Sequence, residues 1–137
     1  MSNIAYSTSK IYRGKHMAKV LVVDDSQTET KRFVQFLEKN GHSVITAASG
    51  EDGIAKARTE LPDLIVMDVV MPGLNGFQAT RQLTRDDATK HIPVIIVTTK
   101  NQETDKVWGK RQGASAYLTK PVSEDLLVET IKAQLSA

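Results

Sequence analysis

Four consecutive apolar residues, Leu64-Ile65-Val66-Met67, run directly into a carboxylate, Asp68, and soon after into the turn-forming pair Pro72-Gly73. The run has no polar member, so it lacks the alternation of a strand with one wet face. It has instead the pattern of a short strand covered on both faces, which restricts the chain to sheets packed between helices. Asp68 is thereby expected at the carboxyl-terminal mouth of a central strand. Ligands of open parallel α/β sheets bind along that edge, so a carboxylate there is placed for chemistry. A turn-opening aspartate gives the same local pattern, and Asp68 alone does not choose between the two.

The rest of the chain repeats the arrangement. Lys19–Val23 reads as a buried strand that runs into Asp24 and Asp25. Ser26-Gln-Thr-Glu29 has the spacing of a capping box, and Phe33, Phe36 and Leu37 then recur at helical spacing until Asn40-Gly41. A weakly alternating strand over Ser43–Ala47 is followed by a short helix over residues 49–60 with Ile54 and Ala57 inward. Beyond the Pro72-Gly-Leu-Asn-Gly76 loop a helix runs from Phe77 through Leu83 to about Asp86. The fourth strand is expected over residues 92–97, ahead of Thr98, and a polar helix over 101–112 ends at Gly113. Ala116–Thr119 reads as the fifth strand, and Leu127, Ile131 and Leu135 share one face of a last helix. Strict alternation argues for a parallel sheet with helices on both faces. The expected fold is a flavodoxin-like (βα)5 three-layer α/β sandwich, for which the strand order 2-1-3-4-5 suits a chain of 137 residues.

Composition narrows the class. One domain accounts for the length, and without cysteine there are neither disulfides nor thiolate metal sites, which fits a cytoplasmic protein. No apolar run approaches the roughly 18 residues of a membrane span. Of 18 Lys and Arg, three lie in residues 1–16 with no acid, leaving 15 against 16 acidic residues, so the charge gives no reason to expect a nucleic-acid partner. Residues 1–16 are polar, Ser-rich and aperiodic, and are expected to be a disordered tail or an extension ahead of the native start. The domain is expected over residues 17–137.

The polar residues at strand ends now matter together. Asp24 and Asp25 follow the first strand, Asp68 the third, Thr98 the fourth and Lys120 the fifth, all on one edge. Clustered carboxylates repel one another and call for a cation. Mg²⁺ fits, because it accepts one or two carboxylates and keeps its remaining positions for water and substrate oxygens. Lys120 and the Thr98 hydroxyl would then serve an anionic group held at Asp68, and the kit suits phosphoryl transfer to a carboxylate. Each residue also has an ordinary explanation: Asp24 leading a helix, Thr98 in a turn, Lys120 on the surface, Tyr117 packing on a helix. Their convergence on one edge favours the chemical reading.

These residues, with Met71-Pro72, Gly76 and Lys120-Pro121, resemble the receiver domain of two-component response regulators over residues 17–137. The resemblance implies that Asp68 accepts a phosphoryl group from a histidine kinase and that Asp24, Asp25, Asp68 and the Val70 backbone carbonyl hold Mg²⁺. It also implies that Thr98 and Lys120 contact the phosphoryl group, that Tyr117 is an aromatic switch, that Lys120-Pro121 is cis, and that Val70 and Lys100 tune the phosphoryl lifetime. The implied output face is helix four, strand five and helix five, on which Lys106, Lys110 and Arg111 suggest an acidic protein target. Trp108, the single tryptophan, is expected to be partly packed near it.

Residues 71–83 and 97–114 resemble stand-alone receivers of the chemotaxis-like system that controls type IV pili and twitching motility. That implies a histidine kinase of such a system as partner, with the receiver signalling by being bound or draining phosphoryl groups as a sink, either as a monomer or as a weak phosphorylation-dependent dimer. A flagellar-chemotaxis-type receiver and a phosphorylation-independent docking module are the alternatives. Turnover as a dehalogenase-like phosphatase is disfavoured because Val70 stands where a second aspartate is needed. A flavodoxin is disfavoured because Asp24-Asp25 would repel a flavin phosphate. His16, His42 and His91 lie away from the acidic edge and are not expected to carry phosphate or metal.

Overall fold

The computed structural model describes residues 17–136. Five strands, β1 (Lys19–Val23), β2 (Ser43–Ala47), β3 (Leu64–Met67), β4 (Val94–Thr98) and β5 (Ala116–Thr119), pair in parallel in the order 2-1-3-4-5. They alternate with α1 (Gln27–Lys39), α2 (Gly50–Glu60), α3 (Gly76–Arg85), α4 (Glu103–Arg111) and α5 (Glu124–Ser136). The expected tail, residues 1–16, lies outside the described residues.

The two-residue period of the strands sorts their side chains into two cores. Val20, Val22, Leu64, Val66, Ile95 and Val97 pack with Phe33 and Leu37 of α1 and Leu127 and Ile131 of α5. Leu21, Val23, Ile65 and Met67 turn the other way, onto Ile54 and Ala57 of α2 and Ala79 and Leu83 of α3. Both faces of the central strands are thus covered, which is why the run Leu64–Met67 admits no polar residue. Truncating a buried Leu64 or Ile65 to Ala would cost roughly 2–5 kcal/mol.

Strand registry levels the functional edge. Val23 pairs with Ala47 and Met67, and Thr98 with Thr119. The ladder continues one step further through Asp24 N–H to Ala47 O (3.0 Å), Asp68 N–H to Val23 O (2.9 Å) and Lys120 N–H to Thr98 O (2.8 Å). The backbones carrying the polar residues are therefore fixed by the sheet itself. The Lys120-Pro121 peptide is cis.

Local boundaries differ from the sequence reading in three places. The fourth strand begins at Val94 instead of residue 92 and includes Thr98, because Pro93 brings no N–H and contributes only its carbonyl, which accepts Ile65 N–H at 3.0 Å. The fourth helix is shorter than expected, starting at Glu103 with Gln102 as its cap. The capping box at Ser26 is half-formed: Ser26 Oγ accepts Glu29 N–H at 3.3 Å, whereas Ser26 N–H goes to Asp24 Oδ1 at 2.9 Å. Cations draw the Glu29 carboxylate away, with Arg32 at 3.8 Å and Lys120 at 3.9 Å. Among the described residues no helix is long and apolar enough to cross a membrane.

Candidate functional site

Asp24, Asp25 and Asp68 meet at the carboxyl-terminal edge of β1 and β3, each offering an oxygen within 4.8 Å of the others. Asp24 and Asp68 are buried and Asp25 is exposed. Lys120 reaches in from the end of β5: its Nζ lies 2.8 Å from Asp24 Oδ2, 3.8 Å from Asp68 Oδ2 and 3.9 Å from Glu29 Oε1. Its side chain is only 11% exposed, with the ammonium 5.9 Å from the Phe33 ring centroid. A single buried ammonium therefore faces several carboxylates, and the charge at the edge is incompletely neutralised.

Asp68 registers the imbalance. Burial, followed by the Asp24 charge, pushes its carboxyl above the ordinary carboxylate range, while Lys120, the Val69 N–H and the Thr98 hydroxyl pull it down more weakly. Asp68 Oδ1 accepts the Val69 N–H at 2.8 Å, and this orients the carboxylate. Thr98 is fully buried, and its Oγ1 accepts the Lys100 N–H at 3.4 Å. On the far side, Gly76 opens α3 so tightly against β3 that a Cβ there would overlap the Asp68 carbonyl oxygen. Its N–H donates to Val69 O at 3.0 Å, closing the loop after Asp68, and Asn75 and Gln78 form a reciprocal capping box that fixes the helix start.

A hard divalent cation fits this donor set. The donors are all carboxylate oxygens, one of them on an exposed residue, and a cation would relieve the charge crowding that raises Asp68. Val70, next along the loop, exposes 55% of its surface.

The other expected residues divide into two groups. Tyr117 and Lys100 are linked to the site's rim: the half-buried Tyr117 hydroxyl donates to Lys100 O at 2.8 Å, and the ring lies against Gly109 of α4. Burial first, then the charges of Asp105 and Asp68, push the Tyr117 phenol up to about 12. The Lys100 ammonium does not cross the opening to Asp68; it lies 3.7 Å from Asp105 Oδ1. Lys106, Lys110 and Arg111 lie apart from the edge on α4, with Lys106 3.6 Å from Glu103 and with Val107 and Trp108 about half exposed beside them. Trp108 is thus partly packed, as expected. His42 is buried at the opposite end of the sheet, where its Nδ1 accepts the Ala18 N–H at 3.0 Å, and His91 is exposed; His16 lies outside the described residues.

Sequence reasoning missed Asp105 and Glu29 as participants. Asp105 Oδ2 accepts the Gln102 N–H at 3.2 Å, and the Gln102-x-x-Asp105 spacing was a readable capping signal. Glu29 had been given only its capping role.

Comparison with known proteins agrees with this geometry. Residues 20–132 match the response regulator receiver domain family. The protein PilH of Pseudomonas aeruginosa is 65% identical over 120 residues, covering 88% of this chain and 99% of that one. The polar-differentiation response regulator DivK of Brucella anthropi is 36% identical over 116 residues, covering 85% and 94%. Among solved structures, the chemotaxis protein CheY4 of Vibrio cholerae superposes with a TM-score of 0.81 at 35% identity, covering 85% of this chain and 98% of that one. A CheY-like receiver domain protein of Methanospirillum hungatei gives 0.82 at 29%, covering 88% and 94%. With the sheet order, the acidic edge and matches over most of its length in agreement, this chain belongs to the response regulator receiver domain family.

Proposed function

We propose that this protein is a phosphorylation switch in which Asp68 accepts a phosphoryl group from a histidine kinase. The observation that carries the reading is the oriented, buried Asp68 carboxylate beside Asp24 and Asp25, with the Lys120 ammonium 3.8 Å away. An Asp68 oxygen attacks phosphorus in line as the bond to the donor nitrogen breaks, leaving an acyl phosphate and a free imidazole. Mg²⁺ held by Asp24, Asp25, Asp68 and the Val70 carbonyl would supply neutralising charge for the phosphoryl oxygens. Lys120, already lodged in the edge, exchanges part of its hold on Asp24 for the phosphoryl group, and the Thr98 hydroxyl donates to it. The pull on Thr98 is felt at Lys100 and Tyr117, to which it is joined through the backbone.

The finer reading is a cytoplasmic receiver of a chemotaxis-like system controlling type IV pili and twitching motility. The 65% identity to PilH across nearly the whole of both chains supports it. The output face is α4, β5 and α5, where Lys106, Lys110 and Arg111 beside exposed Val107 and Trp108 suit an acidic protein surface with apolar anchors. Incubation with acetyl phosphate and Mg²⁺, followed by intact mass, tests the switch. One phosphoryl adduct on the wild type and none on Asp68→Asn is the expected result, and an adduct on the variant would exclude Asp68 as the acceptor.

A further inference from the structure

The arginines of the described residues fall into two groups. Arg32 donates to Val122 O at 2.7 Å, and Arg58 pairs with Asp86 at 2.8 Å. Arg81, Arg85 and Arg111 are exposed and have no ion pair or side-chain hydrogen bond among the described residues. These unengaged arginines also lie together. Thr84 Oγ1 donates to Gln112 O at 2.7 Å, and a Cβ on Gly113 would come within 2.6 Å of the same Oγ1, so the end of α3 is pinned to the end of α4. Arg85 adjoins Thr84 and Arg111 adjoins Gln112, while Arg81 and Trp108 stand one helical turn before the two contact residues. Gly109 is turned inward onto Tyr117 and Ile96, and a step of about 100° per residue then puts Trp108 with Gln112 on the α3 side of α4. Lys106 and Lys110 fall on the other side, where they line a cleft with Tyr117 of β5. The groove between α3 and α4 therefore has guanidinium groups on one wall and a half-exposed indole on the other. The acids that follow Arg85 in sequence do not neutralise it, because Asp86 is held by Arg58 and the Ala88 N–H and Asp87 by Lys90.

We propose that the groove between α3 and α4 is a docking site for an acidic helix of a partner protein, whose carboxylates meet Arg81 and Arg85 and whose apolar side chain covers Trp108. The proposal rests on the reading of an acidic protein target for the partner's charge, and it moves the contact from the β5 side of α4 to the α3 side. A helix suits the place, since a third helix packs into the cleft between two neighbours at about 8–10 Å from each axis. Arg81 and Arg85 are four residues apart, so their Cβ atoms are about 5–6 Å apart, the spacing of two carboxylates one turn apart on the incoming helix. Each guanidinium can hold a carboxylate by two parallel hydrogen bonds. Arginine and tryptophan are also the side chains in which interface binding energy concentrates. A polyanion is less suited: residues 17–137 carry 15 basic against 16 acidic residues, so no net field draws nucleic acid or an anionic membrane to this face.

Trp108 is the single tryptophan, so its emission reports on the groove directly. The protein is titrated with an amidated helical peptide of about 15 residues that carries glutamates one turn apart beside a leucine, and with the same peptide bearing glutamines. The expected result is a saturable change in emission with the glutamate peptide. Binding should be about tenfold weaker or worse for the glutamine peptide and for the double variant Arg81→Glu/Arg85→Glu, and within about twofold of wild type for Lys106→Glu/Lys110→Glu. The substituted arginines are exposed and unengaged, so the Arg81→Glu/Arg85→Glu protein should fold and still be labelled at Asp68 by acetyl phosphate. Weakened binding in Lys106→Glu/Lys110→Glu with full binding in Arg81→Glu/Arg85→Glu overturns the proposal and leaves an acidic target on the β5 side of α4. A response to phosphatidylglycerol vesicles or to a DNA duplex but not to the glutamate peptide overturns it in favour of a polyanion. A change in emission with protein concentration alone, and none with the peptide, overturns it in favour of a second copy of this chain. No response to any probe overturns it as well, and retained acetyl phosphate labelling in that case leaves the phosphoacceptor reading intact.

Discussion

Asp63 and Asp68 flank the same strand, and the structure treats them in opposite ways. Asp63, just ahead of β3, accepts the Lys19 N–H at 2.8 Å, and beside it the buried His42 accepts the Ala18 N–H at 3.0 Å. These acceptors satisfy backbone donors at the start of β1. Asp68, just past β3, is satisfied at one oxygen by Val69 N–H, while its other oxygen shares Lys120 with Asp24 and Glu29. A carboxylate matched to its own donor fastens the fold and has nothing further to do. Carboxylates competing for one ammonium remain able to take up another positive or electrophilic centre.

The largest test of this contrast is the loss of phosphoryl labelling in Asp68→Asn, set against full retention in Asp63→Asn. The stability of the pair should also diverge. Because Asp68 binds its proton more tightly folded than unfolded, wild-type stability falls as pH rises from the ordinary carboxylate range through the raised folded value. Asp68→Asn lacks that loss. Without Mg²⁺ it should melt above wild type at neutral pH, and the difference should shrink on acidification below the ordinary carboxylate range. Thermal melts across pH, run without divalent ions, check the sign.

Next in size is Lys120→Met. Removing the ammonium leaves buried Asp24 without its 2.8 Å partner, and breaking a buried pair in this way costs about 3 kcal/mol. Mg²⁺ should restore part of that loss, since a ligand at ten times its dissociation constant contributes about 1.4 kcal/mol. Urea denaturation with and without Mg²⁺ measures both quantities. Equal losses in the two conditions would show that the ion and Lys120 do not share the same carboxylates.

Asp63→Ala is smaller, a loss of roughly 1–2 kcal/mol from an unsatisfied Lys19 N–H, with labelling unchanged. A labelling defect there, with stability restored by lower temperature, would break the contrast between the two ends of the sheet.

The sheet edge was legible in sequence for a definite reason. Apolar runs with sharp ends locate strand mouths, and parallel registry then brings Asp24, Asp68, Thr98 and Lys120 level without further information. What escaped was the direction of long side chains. Nothing in the spacing told whether Lys100 would meet Asp68 or Asp105, or that Glu29 would leave its cap for Arg32 and Lys120, because those choices depend on charges brought near only by the fold. The late start of β4 at Val94 was a different omission: Pro93 sits inside an apolar run and removes the donor that pairing requires.

The smallest expected effect concerns how far the unsettled edge reaches into α4. Gly109 lies where a Cβ would come within 2.9 Å of Tyr117 Cδ2 and 3.1 Å of Ile96 Cδ1. In an open helix interior Gly→Ala stabilises by up to about 1 kcal/mol, and overpacking costs about 1–3 kcal/mol. The contacts are with side-chain atoms alone, which puts the cost at the low end of that range, so the two nearly cancel and Gly109→Ala should lose about 1 kcal/mol or less. Its informative consequence is positional. The ring has to shift, and the hydroxyl contact to Lys100 O shifts with it. Labelling of Asp68 should persist, while the change in Trp108 fluorescence on labelling, one residue from the substitution, should diminish. An undiminished Trp108 response would mean that α4 senses the edge without Tyr117, leaving the Lys100 to Asp105 link as the shorter route between them.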